Sequence, residues 1–327
     1  MESITIGRKR YSDPDVISLI RETGSLIDPR SSVVSLARRL HEYYRILGGV
    51  TPDPFLRLRM MASLRGFDVI PMDRPRQQAE TRDAVIVLTG GSRNKKGQIL
   101  FNPERPKGRI NFSIAHEIAH TFFPNTLTGA RFRSICSAES REANELEHLC
   151  DCAASEILMP VEEFQQAAGV FSLSVTGRLA EEFGSSFEAT AFRLATAHPG
   201  IACAGLLRYR LKVGEERAVE IRRRRLEQQQ VLFNLGESPC SEFKPFYRRQ
   251  SFFCSYSFDE ARPVPWNKSF AENSCVYQLP GHGVVTAREA LPVGGCPEGR
   301  IEAVRAPFQR DPFDPDHPDV LFFWALE

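Results

Sequence analysis

No apolar run in this 327-residue sequence approaches the roughly 20 residues that a membrane-spanning helix needs. The first ten residues also lack the apolar core of a secretory signal peptide. The formal net charge is only +1, so the chain as a whole is not attracted to nucleic acid. We therefore expect a cytoplasmic protein without a membrane segment, in which any contact with DNA comes from a local basic patch.

The eight cysteines do not form a recognisable disulfide or metal-binding framework. None are spaced as a C-x2-C pair, and Cys150 and Cys152 lie two apart in a predicted helix, so they point to different faces. The others are scattered along the chain: Cys136, Cys203, Cys240, Cys254, Cys275 and Cys296. In a cytosolic chain, such thiols are predicted to act as small buried hydrophobic side chains.

The sequence does contain a compact metal-binding pattern, in which His116 and His120 lie four residues apart and Glu117 follows the first of them. On an α-helix both imidazoles share one face and can reach one metal ion, while Glu117 lies at the rim of the site. Zinc held by three protein ligands keeps one position for water, and a neighbouring glutamate can take a proton from that water. The motif predicts a zinc hydrolase; the alternative is a helix with two surface histidines.

The residues around this motif favour a helix. Pro103 and Pro106 lie upstream, Asn111 suits an N-cap, and Pro124 ends the run. The apolar positions recur at helical spacing: Ile114, Ala115, Ile118, Ala119 and Phe122. Upstream, residues 97–102 predict a short strand, in the place where an edge strand would line a substrate cleft.

A third ligand is expected on a second helix, predicted for residues 139–158. Glu147 lies there on an apolar, inward face, because apolar positions flank it at helical spacing. A buried carboxylate without a partner would cost several kcal/mol, and a metal ion is the partner at hand. Glu145, the alternative ligand, lies on a more polar face. We expect His148 to be solvated or to support a ligand, and Asp151 to orient a histidine ring.

The two predicted helices together resemble the ImmA/IrrE family of zinc metallopeptidases. The resemblance covers residues 20–199. Its strongest motifs are Arg109–His120, then Glu147 with Asp151, and the ending Ile157–Pro160. In that family the third ligand is a glutamate in the helix that ends in a Leu-Met-Pro-like sequence, which implies that Glu147 is the ligand in this chain.

The resemblance implies an α+β fold with a zincin-like metallopeptidase region. It implies Zn2+ held by His116, His120 and Glu147, with Glu117 as general base and as proton donor to the leaving amine. It also implies a site-specific endopeptidase that cleaves a helix-turn-helix transcriptional repressor in a stress-response or mobile-element circuit. The alternative is a non-proteolytic zinc-binding regulator that binds a repressor or DNA. The segment Cys150–Ala153 departs from the residues that the family more often has there. This difference affects packing and the groups that support the ligands, but not the zinc ligands themselves.

The composition, 42% hydrophobic and 25% charged, is that of a globular protein long enough for two domains. We expect a zincin-like peptidase domain in residues 1–165, a helical extension in 166–200, and a β-rich C-terminal domain in 201–327 that acts as a sensor or binds a partner. Residues 174–197 have the outline of a helix-turn-helix. Because the second of these helices offers one arginine, a packing role is favoured over DNA recognition.

Alternating apolar residues predict strands in the C-terminal part, at 207–213, 251–256, 276–279, 300–304 and 320–324. The basic cluster Arg222–Arg225 is interpreted as a solvated helix face, with a patch for an acidic partner or nucleic acid as the alternative. The loops Gly281–Gly283 and Asp314–Asp319 carry His282 and His317, which are predicted to be exposed.

Overall fold

The chain forms two compact units in a computed structural model. The structure describes residues 3–7, 9–24, 28–72, 83–92, 95–123, 141–233, 243–255, 257–258, 264–279, 281, 283–308 and 314–327. The first unit comprises Met1–Ala167 with Gly177–Ala189, and the second comprises Ala168–Thr176 with Thr190–Glu327. Helices and strands occur in both units, so the expected α+β fold class is confirmed.

Three helices near the start of the first unit each begin at an Asp-Pro pair. They follow a short hairpin of β1 (Ile4–Ile6) and β2 (Lys9–Tyr11), and they are α1 (Pro14–Glu22), α2 (Pro29–Ile46) and α3 (Pro54–Leu64). Proline suits the first helical turn because no backbone N–H is needed there. The aspartate before it accepts hydrogen bonds from the next N–H groups, which fixes where each helix begins.

A three-stranded sheet in the first unit consists of β3 (Phe67–Pro71), β4 (Ala84–Ser92) and β5 (Lys95–Phe101). The strand order is β3-β5-β4, with β5 parallel to β3 and antiparallel to β4. The strand predicted at residues 97–102 is present as β5, but its predicted edge position is wrong, because β5 has a partner on both sides. The sequence pattern shows where a strand lies but not which remote segments pair with it, and the edges of this sheet are β3 and β4.

The helices α4 (Lys107–His120) and α5 (Arg141–Leu158) pack against each other in the first unit. Both have fully buried positions with mainly small apolar side chains: Ile114, Ala115, Ile118 and Ala119 on α4, and Cys150, Ala153, Ala154 and Ile157 on α5. Small side chains let two helices approach closely. The helices α6 (Val161–Ala168) and α7 (Thr176–Phe183) follow.

The predicted start of α4 is wrong. The helix begins at Lys107, with Pro106 in the N-cap position, so Asn111 lies inside the helix. Asn111 is buried, and its side-chain amide donates a hydrogen bond to the carbonyl of Gly184 at 2.8 Å. Because Pro106 occupies the N-cap and no side chain caps this end, the first side chain suited to capping does not mark where the helix begins. Pro124, the predicted end, lies outside the described residues, and the helix ends at His120.

The second unit is built on a five-stranded antiparallel sheet. Its strands are β6 (Ala202–Arg210), β7 (Phe246–Cys254), β8 (Val285–Ala290), β9 (Glu298–Arg305) and β10 (Val320–Ala325), in the order β7-β6-β10-β9-β8. Every residue of the central strand β10 is buried, which is typical of a strand that is covered on both faces. The helices α8 (Phe187–Thr196) and α9 (Val213–Phe233) flank β6 in the chain.

Some predictions for this part are wrong. Residues 276–279, predicted as a strand, lie in a 3-10 helix of Cys275–Tyr277 and in the two residues after it, which belong to no strand. The strand β8 was not predicted. Of the helix α9, only the cluster Arg222–Arg225 was interpreted as helical, and Val213 begins this helix rather than ending a strand. The described part of α9 is largely exposed and lacks an apolar stripe, so helical periodicity does not reveal it.

The charged and histidine-bearing segments of the second unit behave differently from one another. Arg222–Arg225 are exposed on α9, as expected for a solvated helix face. His282 lies outside the described residues. His317 is partly buried rather than exposed, because its ring stacks on Tyr209 with 3.8 Å between the ring centroids. His317 and Tyr209 line a cavity of about 480 Å³.

Candidate metal centre

Three side chains from α4 and α5 converge in the first unit. His116 and His120 lie near the end of α4, and Glu147 lies in the second turn of α5. His116 Nε2 is 3.1 Å from His120 Nε2 and 3.0 Å from Glu147 Oε2. His120 Nε2 is 3.7 Å from the same carboxylate oxygen. Because one donor atom from each residue lies within 4.8 Å of the other two, a single ion can contact all three.

The chemistry of this donor set fits zinc. Two imidazole nitrogens and one carboxylate oxygen form one of the three-ligand sets of catalytic zinc sites, which keep a further position open. The side chains of His116 and His120 are 18% and 8% exposed, whereas that of Glu147 is 43% exposed. The histidine side of the cluster is thus enclosed by protein, and the Glu147 side is open to solvent.

The electrostatic environment of His116 also fits a cation. Burial acts to lower the pKa of its imidazole, but hydrogen bonds to Asp151 and Glu147, with the charges of Asp151 and Glu117, raise that pKa to about 10. The carboxylates therefore stabilise positive charge at this point. A divalent cation would satisfy the same carboxylates.

The outer nitrogen of each histidine contacts a residue of α5. His116 Nδ1 lies 2.9 Å from Asp151 Oδ1, and His120 Nδ1 lies 3.3 Å from Cys150 Sγ. An N–H on Nδ1 leaves Nε2 free to bind a metal, so such contacts select the useful tautomer. Asp151 lies where a residue that orients a histidine ring was expected. The contact of Cys150 was not predicted, because its sequence pattern indicates only a buried thiol.

Glu117 lies beside the cluster and contacts the sheet. Its Oε2 accepts a hydrogen bond from the backbone N–H of Ile86 on β4 at 3.2 Å. In an antiparallel ladder, pairs of facing residues alternate between hydrogen-bonded and non-hydrogen-bonded. The N–H of Asn102 donates to the carbonyl of Asp83, so these two residues form a hydrogen-bonded pair. Three positions further along, Ile86 and Ile99 therefore form a non-hydrogen-bonded pair. The N–H of Ile86 therefore points away from β5, toward the outer edge of β4.

Glu145, the alternative ligand, holds a different part of the fold. Its Oε2 accepts hydrogen bonds from the backbone N–H groups of Ser12 at 3.1 Å and Asp13 at 3.5 Å, just before α1.

The expectation that Glu147 is buried is wrong, since helical periodicity fixes the face of a residue but not how far its neighbours cover that face. His148 is exposed.

The described cysteines are free thiols, as predicted. Cys150, Cys203 and Cys275 are buried, and Cys152, Cys254 and Cys296 are partly buried. Burial, as the largest cause, raises the pKa of Cys203 well above its ordinary value and that of Cys275 to about 12, which makes both thiols unreactive. Cys136 and Cys240 lie outside the described residues.

Two further observations bear on DNA and membranes. Arg193, the one arginine of α8, is only 6% exposed, so α8 does not present it to a nucleic acid. This supports the interpretation of α8 as a packing helix. In the described part of the chain, no helix is both long and apolar enough to cross a lipid bilayer.

One segment of the chain matches a known family. Residues 74–195, which include His116, Glu117, His120 and Glu147, match the family model Peptidase M78, described as an IrrE N-terminal-like domain. A solved structure, a Mycobacterium tuberculosis transcriptional regulator, is similar at 13% sequence identity with a TM-score of 0.50, and the match covers 95% of this chain and 79% of that chain. At this identity the likeness shows a shared fold alone. No curated protein matches the chain.

Proposed function

Residues 74–195 belong to the ImmA/IrrE family of peptidases, and from this premise we propose that the chain is a zinc-dependent, site-specific endopeptidase. One observation carries the proposal. His116, His120 and Glu147 offer donor atoms within 4.8 Å of one another, and Glu117 lies next to them in sequence and in space. A binding module would need the three ligands but not the additional carboxylate.

In this proposal, His116, His120 and Glu147 hold the zinc ion. When bound, zinc supplies a Lewis acid that polarises the scissile carbonyl and makes nearby water more acidic. Asp151 keeps the ring of His116 turned so that Nε2 faces the cluster. The half-exposed side of Glu147 leaves room for a substrate to approach.

Glu117 is the proposed general base. Its carboxylate takes a proton from the water that attacks the peptide carbonyl, and then gives a proton to the leaving amine. The hydrogen bond from Ile86 restrains one carboxylate oxygen and so limits the rotation of the side chain. A positioned acid-base group of this kind contributes about 10²–10⁴-fold to a rate.

The outer edge of β4 is the proposed place for the substrate backbone. Within the described residues, β4 pairs with β5 only, and its other edge carries the N–H of Ile86 next to Glu117. An extended peptide can add to such an edge through backbone hydrogen bonds. This would place a scissile bond near both Glu117 and the metal ligands.

We propose a helix-turn-helix transcriptional repressor as the substrate, in a stress-response or mobile-element circuit within the cytoplasm. The support is the family resemblance; the similar Mycobacterium tuberculosis structure is itself described as a transcriptional regulator. We further propose that residues 1–165 act as the peptidase domain with 166–200 as its helical extension. Residues 201–327 would then serve as a sensor or partner-binding domain.

A second candidate function is a non-proteolytic regulator that binds a repressor or DNA. The exposed arginines of α9 favour it, because Arg222–Arg225 can approach phosphates. Two observations weigh against it. Arg223 and Arg224 form ion pairs with Glu220 of the same helix, which reduces the local positive charge, and the intact Glu117 has no role in binding alone.

The experiment that separates these functions is a cleavage assay. Purified zinc-loaded protein is incubated with the repressors encoded beside it, and the products are identified by mass spectrometry. The peptidase proposal predicts one defined cut in one repressor, abolished by a chelator and restored by added zinc. Binding of a repressor without any fragment, under conditions where zinc is retained, would favour the regulator instead.

A further inference from the structure

We propose that Cys150 is a positioning residue for the metal centre, where its sulfur holds the ring of His120 in the orientation that a ligand needs. The inference rests on the proposed metal site and adds a residue to it. It starts from one contact, in which Cys150 Sγ lies 3.3 Å from His120 Nδ1. In the proposed arrangement the ring carries its proton on Nδ1, and this N–H donates a hydrogen bond to the sulfur.

The two nitrogens of His120 have different tasks. Nε2 faces the cluster, at 3.1 Å from His116 Nε2 and 3.7 Å from Glu147 Oε2. A neutral imidazole carries one proton, and the nitrogen that binds a metal must be free of it. The proton therefore belongs on Nδ1, the atom that faces the sulfur of Cys150. An acceptor at that place favours the tautomer that offers Nε2 to the ion.

Burial makes this contact matter. Cys150 is fully buried, and the side chain of His120 is 8% exposed, so both lie away from bulk water. A buried ring N–H that lost an acceptor would favour other tautomers and other ring orientations. The two histidines are held by unlike groups, since a carboxylate of Asp151 contacts His116 and a thiol contacts His120.

Cys152 is a natural control. It belongs to the same helix, two residues further on, and is only partly buried. Its sulfur lies 3.8 Å from Nε2 of the exposed His148, which is not a member of the metal cluster. Replacing Cys152 therefore removes a thiol from α5 without touching the proposed ligands.

The test measures zinc affinity in the full-length chain by competition with a chelator of known affinity. The variants are Cys150→Ala, Cys150→Val, Cys150→Ser and, as control, Cys152→Ala. We expect Ala and Val to raise the zinc dissociation constant by about 10–100-fold, the usual effect of losing a partner of a ligand histidine. Serine keeps an acceptor, so Cys150→Ser should rescue most of the affinity, and Cys152→Ala should match wild type.

The thermal midpoint of each metal-free variant shows whether it folds. If Cys150→Ala fails to fold, the zinc affinities of Cys150→Val and Cys150→Ser still test the positioning role. Valine fills the space of the thiol without a hydrogen-bond acceptor, whereas serine provides one. Wild-type affinity in Cys150→Val, or a loss in Cys150→Ser as large as in Val, would overturn the positioning role alone. Wild-type protein that binds no zinc would overturn the metal site, and the role of Cys150 with it.

Discussion

Alanine substitutions at Glu147 and Glu145 form a matched pair, because each removes a carboxylate from α5 and the two positions are two residues apart. Glu147 Oε2 lies 3.0 Å from His116 Nε2. Glu145 Oε2 instead accepts a hydrogen bond from the N–H of Ser12 at 3.1 Å. We therefore expect Glu147→Ala to affect metal binding and Glu145→Ala to affect folding stability.

The effect of Glu147→Ala on the metal should be large. Loss of a group that merely supports a ligand lowers metal affinity by about 10–100-fold, so loss of a ligand should exceed about 100-fold. A factor of 100 corresponds to about 2.7 kcal/mol of binding free energy. The metal-free protein should lose little stability, because the side chain of Glu147 is 43% exposed and solvent screens its contact with His116.

The effect of Glu145→Ala should be on stability. Hydrogen bonds to a charged acceptor contribute about 1.5–3 kcal/mol, but this contact is only partly buried, so we expect about 1 kcal/mol. For a domain of this size, that loss lowers the thermal midpoint by about 2–4 °C. Zinc affinity should stay at the wild-type value.

Chelator competition gives the zinc affinity of both variants, and calorimetry of the metal-free proteins gives their thermal midpoints. The expected result is a crossed pattern, with affinity lost in one variant and stability lost in the other. Equal loss of zinc in both variants would show that Glu147 is not a specific ligand. Loss in Glu145→Ala alone would show that the wrong face of α5 was assigned to the metal.

Three further predictions follow from other contacts. The double variant His116→Ala, His120→Ala should hold no zinc by elemental analysis, whereas wild type holds one per chain; unchanged zinc would contradict the site. Burial, as the largest cause, lowers the pKa of His41 from 6.5, so its contribution to stability is fully present above about pH 6.5 and is lost as the pH falls toward the lowered pKa. The thermal midpoint of His41→Gln should therefore decline less steeply with falling pH than that of wild type. An unchanged slope would show that His41 does not cause the decline. In Gly108→Ala the new Cβ would lie 2.5 Å from the backbone of Ser185, so α4 must shift, and stability should fall by about 1–3 kcal/mol in denaturant titrations. Gly177→Ala is the control for the change of residue type, because its new Cβ meets no facing segment; at this helical position stability should stay the same or rise by up to about 1 kcal/mol.

The parts of the site that local patterns encode could be predicted from the sequence. Helical spacing places His116 and His120 on one face of α4, and the structure brings their Nε2 atoms to 3.1 Å. The choice between Glu145 and Glu147, two of the four glutamates on α5, rested partly on the family resemblance, because periodicity alone gave the wrong degree of burial for Glu147. Asp151 lies one turn after Glu147, so its place near a histidine could be inferred from the same helix.

The parts that depend on distant segments could not be predicted. The central place of β5 depends on β3, which lies more than twenty residues upstream in the chain. The partners of Glu145, Ser12 and Asp13, are more than 130 residues away. The contact of Cys150 with His120 requires the exact packing of two helices, which no single pattern contains. The length of the helix α9 could not be predicted beyond the cluster Arg222–Arg225, because its described side chains are largely exposed and lack the apolar stripe that identifies most helices.

If Glu117 is the general base that cleaves a peptide bond at a zinc site, the variant Glu117→Gln should keep the metal and lose the reaction. The substitution keeps nearly the same size and leaves His116, His120 and Glu147 untouched. Zinc content and binding of the repressor, measured by elemental analysis and a pulldown on the same preparation, should match wild type. In the cleavage assay, wild type should produce a defined fragment, whereas Glu117→Gln should retain the repressor uncut, with the rate reduced by about 10²–10⁴-fold. Cleavage by Glu117→Gln at the wild-type rate, with zinc bound, would show that Glu117 is not the general base.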